Sequence, residues 1–280
     1  MKLDSTNSPV YLPDKEQTSV LRLGIKNYSV GDWIFPPNDL NVFLNHKREL
    51  DRLHGNECYA ESQCSTGVQR EFHDFLLERL VARKEMGYSI RDGQLIHERE
   101  KLTWEIGPKH LRQAALWVPE DFCLLEERKS EYVMTAASVH SPSNWILREK
   151  VGQSVEFIHE PVPGYDGVLS ERVNRFLLGL KQDRVVLRYN WSIQDNNELF
   201  WRDDLDSDPG QVNSTRPGQY WRIERQTFLR LPESKAVVFG IRIFLHSFDS
   251  IRESDSFNHS LKQLLAQLPE DQKHYKGLAP

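Results

Sequence analysis

An α+β fold built on an antiparallel sheet is predicted by three features of the sequence. Stretches that read as strands, by β-branched content or two-residue alternation, gather in the second half, at 132–139, 154–159, 185–191, 220–231 and 236–246. Segments with helical spacing lie between and around them, so the strands have no regular βαβ rhythm. The last two strands are joined by Pro232-Glu233-Ser234-Lys235, a connection short enough to enforce a hairpin.

Taken in order, residues 1–20 are polar and broken by prolines, and read as a flexible arm. Trp33-Ile34-Phe35 is an apolar patch cut off by Pro36-Pro37, and 40–53 is helix-like. Phe72, Phe75, Leu76 and Leu80 stand at i, i+3, i+4 and i+8, one face of an amphipathic helix. Gly87, Gly93 and Gly107 interrupt 87–118, where loops and short elements are expected. Residues 121–125 lead into the strand at 132–139. Over 154–159, Val155, Phe157 and His159 alternate with Glu156, Ile158 and Glu160, which predicts a strand halted by Pro161 and Pro163. Val173, Phe176, Leu177 and Leu180 mark a helix ending near Gly179. Residues 194–219 are polar, carry Asp203, Asp204, Asp206 and Asp208, and read as a surface insertion or a lid. Phe257, Leu261, Leu264, Leu265 and Leu268 form a closing helix, followed by a charged tail at 271–280.

Composition narrows the function classes. Among 280 residues, 39% are hydrophobic and 10% aromatic, enough for a sizeable core. The balance of 36 basic against 41 acidic residues, net charge −5, argues against a nucleic-acid partner held by a general basic surface. No apolar run approaches membrane-spanning length, and the polar start Met1–Asn7 does not resemble a signal peptide, so a cytoplasmic location is expected. Cys58, Cys64 and Cys123 form neither a disulfide framework nor a zinc-ligand pattern. The nucleophile elbow, the phosphate loop, the dinucleotide fingerprint, the H-E-x-x-H pair and the C-x-x-C-H haem attachment signature are all missing. The four N-x-S/T sequons then read as chance.

Three constellations carry chemistry. His159 projects from an apolar stretch just before a proline, a setting that suits an axial ligand to haem iron or a core histidine donating to a carbonyl. In Arg222-Ile223-Glu224-Arg225-Gln226, strand alternation puts Arg222, Glu224 and Gln226 on one face and Ile223, Arg225 and Thr227 on the other. Arg225 thus has apolar neighbours and needs a partner, either a ligand carboxylate or a protein carboxylate. Arg188-Tyr189-Asn190-Trp191 forms either the polar end of a pocket or an ordinary strand.

An ordered series of blocks extends these. Leu23-Gly24-Ile25 is followed by Trp33, then Glu120–Leu125, Ser141-Pro142-Ser143-Asn144-Trp145 and Glu149-Lys150-Val151-Gly152. Next come Ile158-His159-Glu160-Pro161-Val162-Pro163 and Arg188–Trp191, and finally Arg222–Thr227 with Leu231–Phe239. This series resembles the haem-dependent oxidative N-demethylase alpha-subunit-like family. The resemblance implies a single domain over 21–270, with a PAS-like antiparallel sheet and surrounding helices, holding non-covalent haem b on His159. It also implies a monooxygenase that uses O₂ to remove a methyl group from a small secondary amine such as dimethylamine, giving a primary amine and formaldehyde. Electrons would come from NAD(P)H through separate flavin and iron–sulfur reductase subunits. In that setting Glu224 is the expected carboxylate for a protonated amine. Arg188, Arg222 and Arg225 share the oxygen-polarising and propionate-binding roles, and Asn190 and Trp191 line the cofactor. A haem-binding sensor, or a haem-free homologue, is the alternative; no output domain is evident, which favours the enzyme.

Overall fold

The computed structural model describes residues 26–35, 40–162, 165, 167–202, 218–251 and 253–276. The expected arm at 1–20, the block Leu23-Gly24-Ile25, Pro163 and the acidic stretch at Asp203–Asp208 lie outside these residues. In chain order the elements are β1 (Lys26–Ser29), α1 (Leu40–Cys58), β2 (Tyr59–Glu61), α2 (Thr66–Ala82), β3 (Tyr88–Arg91), β4 (Gln94–His97), β5 (Leu102–Glu105) and α3 (Leu111–Ala114). They continue with β6 (Asp121–Arg128), β7 (Glu131–Ser138), α4 (Leu147–Lys150), α5 (Val155–His159), α6 (Gly167–Gly179) and β8 (Arg184–Gln194). The last are β9 (Tyr220–Arg230), β10 (Val237–Ser247), α7 (Phe248–Ile251), α8 (Asp255–Gln267) and α9 (Glu270–Tyr275).

Seven strands form one antiparallel sheet in the order β1-β8-β9-β10-β6-β7-β2, and β3-β4-β5 make a separate small meander. The expected α+β class is therefore observed. The expected hairpin is present as β9–β10, paired in unbroken register from Val237↔Arg230 to Ser247↔Tyr220. Short elements fill 87–118 as expected, and the helices at 40–53, at Phe72–Leu80, before Gly179 and at Phe257–Leu268 all form. Among the described residues no helix is long and apolar enough to cross a membrane.

The expected tail at 271–280 begins inside a helix, α9, and one expected strand does not form. Residues 155–159 are helical, not extended. Ser154 caps this turn, its Oγ accepting the Phe157 N–H at 3.2 Å, and such a cap satisfies an otherwise orphan donor. Burial follows the helical spacing: Val155 is buried and Ile158 packs on the core, while Phe157 is 48% exposed. Six residues of alternating polarity fit either period. The capping serine and the following Pro161 decide for the helix.

Register assigns every side chain of the sheet to a face, because directly opposed residues of antiparallel strands point the same way. The pairs Arg188↔Gln226, Asn190↔Glu224 and Ser192↔Arg222, with Gln226↔Ile241 and Glu224↔Ile243, define one face. Toward the β9–β10 turn the same face is apolar. There Phe228, Phe239, Cys123 and Val186 receive Val155 and Ile158 of α5 and Val173, Phe176 and Leu177 of α6. The opposite face takes α2 through Trp33, Phe72 and Phe122, with Phe72 and Phe122 rings 4.9 Å apart, and α8 through Trp191, Trp221, Ile223 and Phe257. Gly240 is required at the centre of β10. A Cβ there would meet Thr227 Oγ1 at 2.6 Å and the Phe122 ring at 3.3 Å.

A buried ion pair ties α1 to the sheet. Lys47 Nζ lies 3.3 Å from Asp121 Oδ1 and donates to the Ala115 and Glu120 carbonyls, while Asp121 Oδ2 accepts the Ser141 N–H at 2.8 Å. Burial alone would raise the Asp121 carboxyl; Lys47, then His140, instead bring it from 3.8 to about 2. Its stabilising contribution is thus complete above pH ~4 and lost as pH falls toward ~2. Asp121→Asn is expected to lower the unfolding free energy at neutral pH by about 3 kcal/mol, because Lys47 is left buried without its anion. Urea titrations across acid pH should show the gap between wild type and variant closing from pH ~4 to pH ~2. A gap independent of pH would contradict this.

Candidate functional site

The polar part of the α5–α6 face collects most of the chemistry expected from the sequence. His159 ends α5, where Ser154 starts the turn and Pro161 stops its continuation. Its Nδ1 lies 2.7 Å from the Val155 carbonyl. A carbonyl only accepts, so the proton sits on Nδ1 and Nε2 carries the lone pair. No hydrogen bond to Nε2 exists among the described residues. The ring stacks on Tyr165, with centroids 5.2 Å apart and planes 18° from parallel. Burial lowers its pKa; the Val155 hydrogen bond opposes this, and the charges of Arg188 and Lys150 add to the lowering. The imidazole is therefore neutral at pH 7, the form that ligates a metal.

Arg188 extends from β8 onto the same face. Its charge reaches His159, Tyr275 and Lys276, making it the common neighbour of α5 and the C-terminal segment. Two residues on, Asn190 donates from Nδ2 to Glu224 Oε2 at 3.3 Å. Gln226 Nε2 donates to the same oxygen at 2.8 Å, and the other carboxylate oxygen is 3.7 Å from Arg222 Nε. Glu224 is held from three sides, yet its side chain remains 16% exposed. A carboxylate offers about four acceptor positions, so this one keeps capacity for a further donor.

Arg222 lies on the same face but deeper. It is wholly buried, donating from Nη2 to the Ser141 carbonyl at 2.6 Å and from Nη1 to Gln194 Oε1 at 3.2 Å. Its donors are thus turned into the protein, and it acts on the site through Glu224. The strand alternation predicted its face; its depth was not legible there.

Two expected site residues point away. Arg225 is on the opposite face, donates to the Trp33 carbonyl at 2.9 Å and lies over the Phe35 ring at 5.6 Å. Its side chain is thus engaged within the fold on that face, with Tyr189 also in reach of its guanidinium. Trp191 also faces that side, stacked on Trp221 at 4.6 Å beneath α8. Only its carbonyl takes part near the site, accepting from Lys276.

Lys276 was not expected there. It follows α9 and meets β8 beyond the residues paired with β1 in the described register: Ile193 N–H donates to the Lys276 carbonyl at 2.8 Å. Its Nζ donates to Asn190 Oδ1 at 2.6 Å and to the Trp191 carbonyl at 2.7 Å. The available signal was Pro269-Glu270-Asp271, a proline and acidic first turn that announce a helix inside the presumed tail.

Among the described residues no group of three or more His, Cys, Asp or Glu side chains is arranged to hold a metal ion. A haem iron asks the protein for only one or two axial ligands. A neutral histidine with its proton anchored to a carbonyl fits that demand, since the anchored Nδ1–H fixes the tautomer and orients Nε2.

The division between faces is testable. Arg225→Met should lower the unfolding free energy by about 1–3 kcal/mol through the lost Trp33 anchor, and leave haem or amine binding at wild-type affinity. Ligand affinity that falls while stability holds would place Arg225 in the site after all.

Comparison with known protein families matches residues 24–280 to one described as haem-dependent oxidative N-demethylase, alpha subunit-like. The match spans every element described above, including the His159 turn, the Arg188–Asn190 strand and the Glu224 cluster, and on that extent the chain belongs to the haem-dependent oxidative N-demethylase alpha-subunit-like family.

Proposed function

We propose that the protein is a haem-dependent monooxygenase, on a PAS-like scaffold, that removes a methyl group from a small secondary amine of the dimethylamine type. The observation that carries this reading is the His159 ring: neutral, anchored through Nδ1 to Val155, with Nε2 left as a lone-pair donor on the face that bears Glu224. Haem b, when bound, supplies O₂ activation and oxidation of a carbon attached to nitrogen, which then releases formaldehyde and a primary amine.

The protein's own residues provide the rest. His159 holds the iron through Nε2, and Val155 keeps the ring in that tautomer. Glu224 receives the protonated amine. Asn190 and Gln226 orient the carboxylate, and Arg222 flanks its other oxygen. A separate reductase subunit drawing on NAD(P)H through flavin and iron–sulfur groups completes the system. The partners are then an amine, O₂ and that reductase, in the cytoplasm.

Two variants test this reading. His159→Ala should lose the Soret band after haem titration while its circular dichroism stays native. An unchanged haem spectrum would remove His159 as the ligand. Glu224→Gln should keep the haem and weaken dimethylamine binding by about tenfold, the loss of one charge-assisted contact. Wild-type affinity and turnover in that variant would exclude Glu224 from amine recognition, and a haem band insensitive to any amine would favour a sensor.

A further inference from the structure

Lys276 is the buried cation on this face that the reading above leaves without a task. It is 3% exposed, and among the described residues no carboxylate lies within ion-pair distance of its Nζ. Its two acceptors, Asn190 Oδ1 and the Trp191 carbonyl, are neutral, and Nζ stands 5.0 Å from the centre of the Trp191 ring. An ammonium has three donors, so one remains. Docking the C-terminal segment against β8 explains the main-chain bond to Ile193 and the bond to the Trp191 carbonyl. It does not explain a charge, because a neutral amide would serve those acceptors as well.

The surroundings call for an anion. Facing Lys276 are Arg188 and Asn190 of β8, Glu224 of β9 and Tyr275 of α9. Arg188 shares the strand face with Asn190, so the residue that holds Nζ is two positions from a guanidinium. Burial brings the Lys276 pKa down to about 7; Glu224 raises it and Arg188 lowers it further. A buried ammonium with only neutral acceptors, facing a carboxylate already bonded to Asn190 and Gln226, is stabilised by an additional negative group. The other arginines cannot supply this function: Arg222 is turned into the protein and Arg225 is on the far face. Arg188 is also the residue whose charge is felt at His159.

We propose that Lys276 and Arg188 form the carboxylate-binding edge of the cofactor site, with Lys276 Nζ donating to a propionate of the haem. The inference rests on the haem-site reading of His159. It makes the C-terminal segment part of the cofactor pocket, held down by the ligand it binds, through short charge-assisted N–H···O contacts.

The test is a titration of the full-length haem-free protein with iron protoporphyrin IX and with its dimethyl ester, in which both propionates are uncharged. Wild type, Lys276→Met, Lys276→Arg and His159→Ala are compared by Soret absorbance. Lys276→Met should bind the free acid at least about tenfold more weakly than wild type, with ester affinity unchanged and free-acid binding largely restored in Lys276→Arg. Lys276→Met that weakens both porphyrins alike would reduce Lys276 to an edge cap, and one that weakens neither would remove it from the site; either overturns the proposal. If His159→Ala keeps a wild-type Soret band, or wild type binds neither porphyrin, the haem-site reading itself fails and takes this inference with it.

Discussion

A guanidinium with no access to water organises this protein. Arg222 sits in the middle of β9, and a buried charge is tolerated only when its donors are met. Its partners come from two distant stretches, the Ser141 carbonyl after β7 and Gln194 at the end of β8, and from its own strand, Glu224. Ser141 in turn donates to Asp121, which pairs with Lys47 of α1. A continuous polar line therefore runs from the first helix, through the sheet, to the one partly exposed carboxylate of the site. Loss of any member leaves a neighbour buried and unmet, so the line fixes the position of Glu224 through the fold's own stability.

Around that carboxylate the two faces of the sheet divide the work. Aromatic residues and α8 occupy one face, where Trp191 and Trp221 stack. The other is apolar under α5 and α6 and polar beyond them, so that His159 sits at the boundary. Such a boundary suits a flat, mostly apolar cofactor with a charged rim. It also accounts for the mixture of signs here: one carboxylate and two nearby cations on a single strand face and its covering segment.

Much of this was legible in the sequence. The β9–β10 hairpin followed from alternation and a four-residue connection, and the same alternation correctly grouped Arg222, Glu224 and Gln226 apart from Arg225. Alternation reports a face and not a depth, which is why the complete burial of Arg222 was unreadable. It also separates Trp191 from Asn190, so a role for the Trp191 ring beside Asn190 was never compatible with a regular strand. The turn at 155–159 was misread because so short a stretch satisfies both periods, and the capping bond of Ser154 with the following Pro161 breaks the tie. Lys276 escaped notice for a different reason. Its burial depends on a non-local meeting between the segment after α9 and β8, and no local pattern encodes that.

The most direct test of the account is the crystal structure of the protein loaded with iron protoporphyrin IX. The account predicts iron on Nε2 of His159, the Nδ1–Val155 bond intact, and the macrocycle on the sheet face that carries Arg188 and Glu224. Iron bound by another residue, or a porphyrin seated on the opposite face against Arg225, would contradict it.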